Sequence, residues 1–82
     1  VRVFIALEVH EEWGSEYLGV FTTPSAAQAR CTERVWVPFM APKVRLAWRL
    51  RSSQEQEGRD ALVAQHPDRD VCWFEVLEEE LR

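Results

Sequence analysis

Apolar and polar positions alternate over the first nine residues, VRVFIALEV. Val1, Val3, Ile5, Leu7 and Val9 fall on one side, and Arg2, Phe4, Ala6 and Glu8 on the other. A period of two over this length predicts a half-buried strand, with the all-aliphatic side as its core side. HEEWGSE (10–16) is polar around Gly14 and predicts a hairpin loop, with 16–22 returning as an antiparallel strand. The next stretch, GVFTTPSAAQARC (19–31), organises the chain. Val20 and Phe21 close a strand, Thr23 offers a capping hydroxyl, and Pro24 falls at the first helical position, where its missing N–H costs nothing. The helix is expected over 24–34, with Ala26, Ala27 and Ala29 letting it approach a sheet closely and Ala27, Cys31 and Val35 forming a narrow apolar stripe.

VWVPFMAP (35–42) is apolar, but Pro38 and Pro42 each push the preceding residue out of the helical region. It predicts an extended crossover that lays Trp36, Phe39 and Met40 over one end of the core. KVRLAWRLR (43–51) alternates again, Val44, Leu46, Trp48 and Leu50 against Lys43, Arg45, Ala47, Arg49 and Arg51. SSQEQEGRD (52–60) has two readings: a helix from Ser53 to about Gln65 with Gln56 completing a capping box, or a hairpin loop followed by a short strand over 61–65. The missing apolar residues in the first turns, and Gly58 inside, favour the strand. HPDRD (66–70) predicts a turn around Pro67 and Asp68. In DVCWFEVLE (70–78) Cys72, Phe74 and Val76 oppose Val71, Trp73, Glu75 and Leu77, a final strand after which 78–82 is expected to fray.

The order ββα followed by two or three strands predicts a single α+β domain over 1–82: a mainly antiparallel sheet of four or five strands with one helix packed on one face. The expected core beneath Ala27 and Cys31 is Val3, Ile5, Leu7, Leu18 or Val20, Leu46, Trp48 and Phe74. The other face is left partly open.

On Gly19, Val20, Phe21, Thr22, Thr23 and Ala27, with a looser echo in HPDRDVCWFEVLEEEL (66–81), the chain resembles a group of small uncharacterised bacterial and phage proteins. These share a hairpin, a GVF(S/T)(S/T) turn, an Ala-rich helix and a closing strand rich in aromatics and acids. The resemblance covers about half the chain and implies the fold; it carries no catalytic residues. VWVPFMAP and the basic segment after it have no counterpart in the group.

The formal charge of −4 disfavours generic binding to nucleic acid or to anionic membranes. No apolar run is long enough to span a bilayer, and VRVFIALEV lacks a small-residue cleavage site, so a cytoplasmic location is expected. Cys31 and Cys72 make no disulfide framework and are expected as free, inert thiols.

Signatures of phosphate-binding loops, dinucleotide folds, serine hydrolases and zinc proteases are absent. His10, Glu11 and Glu12 sit together, but neighbouring residues on a strand or loop point apart. A metal site drawn from His10, His66, Cys31 and Cys72 would need four elements to converge, and no pair has finger or ribbon spacing. No catalytic, cofactor-binding or metal-binding residue is therefore expected, and no cofactor. The cations of 43–51 are the strongest functional candidates, expected on the open face with Phe4, Tyr17, Phe21 and Trp73. Arg45, Arg49, Arg51, Trp36, Phe39, Met40 and Trp73 make up the candidate interaction surface, since aromatics and arginines dominate binding hot spots. The leading expectation is a non-enzymatic protein-interaction or accessory module that associates with a protein partner or with itself. The alternatives are single-stranded nucleic-acid binding through 43–51, by stacking and phosphate contact, or a small enzyme subunit.

Overall fold

The alternating ends of the chain become its two longest strands and lie side by side. Strand β1 (Arg2–His10) pairs antiparallel with β5 (Cys72–Glu80), from Arg2 opposite Glu80 to His10 opposite Cys72. The structure is a computed structural model and describes residues 1–35, 45–51, 61–67 and 69–81. The remaining strands are β2 (Gly14–Phe21), β3 (Arg49–Arg51) and β4 (Ala61–Gln65), and the helix is α1 (Pro24–Val35). Five strands form one antiparallel sheet in the order β2-β1-β5-β4-β3, with α1 packed on β1, β2 and β5. The predicted α+β architecture is the one observed.

The corner at Thr23 forms as its residues require. Its hydroxyl oxygen accepts the Ala26 N–H at 3.2 Å and its carbonyl accepts the Ala27 N–H at 3.3 Å, and Pro24 opens the helix. The reading of 61–65 as a strand holds, while 52–60 lies outside the described residues. Two expectations change. Of the strand predicted over 43–51, the described part, 45–51, is strand only at Arg49–Arg51, because 45–48 is irregular and turns Leu46 and Trp48 onto the core. The predicted fraying after Glu78 is absent as far as Glu80, because β1 supplies partners to the end of the ladder and the Leu81 N–H donates to the Val1 carbonyl at 2.7 Å.

The helix covers the opposite side of β1 from the one predicted. Directly opposed residues in an antiparallel sheet share a face, so Phe4, Ala6, Glu8 and His10 lie with Cys72, Phe74 and Val76 and with Leu62 and Ala64. The core is built on this side from Ala6, Ala27, Cys31, Val35, Phe74 and Val76, with Phe4, Leu18, Phe21, Leu46, Trp48 and Leu62 packed around it. Val3, Ile5, Leu7 and Val20 face away from α1, and Phe4 and Phe21 do not reach the open face. The cause is shape. Ala6 stands opposite Gly19, which gives the alanine-rich helix a shallow floor, and close approach maximises dispersion contact. Ile5 and Leu7 would hold the helix away.

Between Ala6 and Leu7 the β1–β2 register slips, and Leu18 is the extra residue. Gly19 follows at φ +149°, and a Cβ there would meet the Phe21 ring at 3.1 Å. The bulge turns Leu18 onto the core and places Tyr17 opposite Leu7 on the far face.

Candidate functional site

Two residues apart on β1, Glu8 and His10 share the helix-side face, and the β1–β5 register sets Cys72 directly opposite His10. Their ligand atoms converge: His10 Nε2 lies 3.3 Å from Glu8 Oε1, the Cys72 thiol donates to the same oxygen at 3.7 Å, and all three atoms are within 4.8 Å of one another. Glu8 and Cys72 are buried and His10 is half-buried.

Glu16 of β2 stands opposite Glu8, a like-charge pair that would repel on its own. Arg34, in the last turn of α1, resolves it. Its Nε donates to Glu8 Oε2 and its Nη2 to Glu16 Oε2, each at 2.8 Å. The oxygens of Glu8 are thus divided, Oε2 to the guanidinium and Oε1 to the histidine and thiol. An open cleft of about 320 Å³ leads to the cluster between Trp13, Gly14, Ser15, Glu16, Arg34 and Arg69. The Trp13 ring, exposed, lies 5.5 Å from the His10 ring.

Both loops at this end are tied down. The Gln65 amide donates to the carbonyls of Arg69, Asp70 and Cys72, and the Glu11 N–H donates to the Val71 carbonyl at 2.9 Å. These bonds fix where β5 begins and so where Cys72 sits.

Burial by itself would raise the Glu8 carboxyl, but the bond and charge of Arg34, with help from His10 and Cys72, hold it below the ordinary carboxylate range. The bond to Glu8, its charge and that of Glu16 hold Arg34 more firmly protonated. Burial, reinforced by the charge and hydrogen bond of Glu8, pushes the Cys72 thiol up to about 11, against the smaller opposing effect of Arg69. A nucleophilic cysteine needs an accessible thiolate. Cys72 is fully buried, and its surroundings raise its thiol rather than activating it as a free nucleophile. Cys31 is also free and fully buried.

Of the predicted surface, Arg49, Arg51 and Trp73 come together on the face away from α1, lining a shallow pocket with Val63 and Gln65. Arg45 is exposed in the irregular 45–48 segment, apart from the strand. Trp36, Phe39 and Met40 lie outside the described residues. Arg51 is committed to an ion pair with Glu75, so it does not stand with Arg45 and Arg49 as a row of exposed cations. Of the four metal-ligating residues weighed in the sequence, His10 and Cys72 meet, whereas His66 stacks on Phe74 at 5.9 Å and Cys31 stays in the helix interface. Glu8 was the residue to pair with His10, not Glu11 or Glu12. The signal was the i, i+2 spacing on a strand, which puts both on one face.

No family model, curated protein or solved structure matches the chain. Among the described residues no helix is long and apolar enough to cross a membrane.

Proposed function

We propose that the protein is an interaction module that self-associates through the sheet face not covered by α1, and that it works in the cytoplasm, where its two free thiols would stay reduced. The observation that supports this is the composition of that face. Val3, Ile5, Leu7 and Val9 of β1 lie beside Val20 and Tyr17 of β2 and Leu77 and Trp73 of β5, and among the described residues no element lies across them. Tyr17 and Val20 are 61% and 48% exposed. An uncovered apolar sheet face marks a contact surface.

A second copy is the occupant the chemistry favours. Glu75 and Arg51 near the middle of the face already pair with one another, so an identical face laid over them buries no unpaired charge there, and the further charges of this face, Glu79 opposite Val3 and Arg49 opposite Val63, stand towards its margins. Sheets stack face to face at about 10 Å. With strands about 30 Å long and about 4.8 Å apart, the face offers on the order of 500 Å² per copy. That is at the small end of specific interfaces and implies a concentration-dependent dimer of micromolar or weaker affinity. A polyanion finds a poorer surface, because Arg51 is engaged and the net charge is −4.

Sedimentation across a concentration series tests the reading. The wild type is expected to shift towards dimer, and Tyr17→Glu and Val20→Glu to remain monomeric with unchanged melting. A wild type that stays monomeric at the highest concentrations, or variants that dimerise equally, would overturn it. Salt-sensitive binding of single-stranded oligonucleotide that is lost in Arg45→Ala/Arg49→Ala would favour the nucleic-acid alternative instead.

A further inference from the structure

We infer that Glu8 Oε1, His10 Nε2 and Cys72 Sγ form a three-ligand site for zinc, with water from the adjoining cleft in the fourth position. In a tetrahedral zinc site, ligand bonds of about 2.0–2.1 Å to nitrogen or oxygen and about 2.3 Å to sulfur set the ligands about 3.4 Å (N to O) and about 3.6 Å (S to O) apart. The chain places Nε2 at 3.3 Å and Sγ at 3.7 Å from Oε1, and all three within 4.8 Å. Both spacings to Oε1 are therefore met, and Nε2 and Sγ, held within 4.8 Å, need only side-chain adjustment to close on one ion; backbone register sets this, since His10 and Cys72 are opposed partners in the central ladder and Glu8 is two residues along the same strand.

Three further features point to the same ion. One sulfur, one nitrogen and one oxygen donor suit zinc, whereas magnesium and calcium take oxygen sets. A thiolate and a carboxylate balance the dication. Arg34 holds the other oxygen of Glu8, which fixes the carboxylate's orientation while leaving Oε1 turned inward, the role of an outer partner in metal sites. The cleft beside His10, Glu16 and Trp13 leaves solvent a route to the open position. This inference is independent of the self-association reading, whose surface is on the opposite face of the sheet.

Cobalt(II) titrated into reduced, metal-free protein provides the test. The expected result is one equivalent bound with the intense visible bands of a tetrahedral ion and a thiolate-to-cobalt charge-transfer band, both abolished by equimolar zinc. Cys72→Ser should lose the charge-transfer band, and Glu8→Gln and His10→Ala should each weaken binding by about tenfold or more. Cys31→Ser should bind as the wild type does. X-ray absorption at the zinc edge of the wild type reads the donor set without relying on any variant folding, and should show one sulfur among lighter ligands. Cobalt spectra without a thiolate band, a band retained in folded Cys72→Ser, or a zinc shell containing no sulfur would overturn the assignment.

Discussion

Arg51 and Glu75 stand two strands apart on the face away from α1, and the Arg51 guanidinium crosses β4 to meet the carboxylate. Ala61 and Val63, the β4 residues paired with Arg51 and with Glu75, are only 2% and 8% exposed although no described element covers them. A long cation here acts as a lid as much as a charge. Nε of Arg51 is buried without a hydrogen-bond partner, so among the described residues it is the Glu75 contact at Nη1 that offsets the cost of holding the guanidinium there.

Removing one member should therefore hurt more than removing both. Glu75→Leu is expected to lower unfolding free energy by about 1–3 kcal/mol, and Arg51→Met/Glu75→Leu to recover most of that loss. Urea denaturation of the four forms in a double-mutant cycle measures the coupling; strictly additive losses would contradict the pairing.

The helix cap gives a second expectation. Thr23→Ala removes the acceptor of the Ala26 N–H and should cost about 1 kcal/mol, while Thr23→Asp should keep the stability of the wild type. Thermal melts followed by far-ultraviolet circular dichroism decide between them.

Gly19 is held where an L side chain is strained, and its missing Cβ is the space the Phe21 ring uses. Gly19→Ala should destabilise by about 1–3 kcal/mol. Phe21→Leu in the same background should relieve the steric part and leave the backbone part, so the double variant should regain some but not all of the loss. Recovery to the wild-type value would show that the backbone conformation costs nothing.

Burial pushes the Cys31 thiol up to about 12, the charge of Arg30 offsetting part of the rise and that of Glu8 adding to it. In the unfolded chain it ionises near its ordinary value, so above about pH 9 the unfolded state releases a proton that the folded state keeps. Its contribution is intact below that pH and is lost as pH rises towards 12, by about 1.4 kcal/mol per unit. Cys31→Val should flatten the alkaline fall of stability seen in urea melts between pH 9 and 11. An unchanged slope would mean the thiol ionises in place.

The local signals of the sequence carried most of the fold. Thr23–Pro24 marked the helix start, the alternations at both ends marked β1 and β5, and Gly58 with the polar 52–60 stretch argued against a helix continuing into 61–65. What they did not carry was which side of β1 the helix would choose. Side-chain volume decided that: Ala6 opposite Gly19 offers depth, whereas Ile5 opposite Val20 offers only apolarity. The candidate metal site was half legible. The Glu8–His10 spacing was visible in one strand, but the position of Cys72 depends on which strand pairs with β1, and that is settled by the closing of the whole sheet.

The two ends of the described chain meet at one edge of the central ladder: the Leu81 N–H donates to the Val1 carbonyl at 2.7 Å and the Val1 amine donates to the Leu81 carbonyl at 3.3 Å. A tensile load applied at Val1 and Leu81 would act across the β1–β5 ladder rather than along it. It would part the strands one pair at a time, from Arg2 and Glu80 towards His10 and Cys72, so the domain should open under force like a zipper and not resist it like a lap joint.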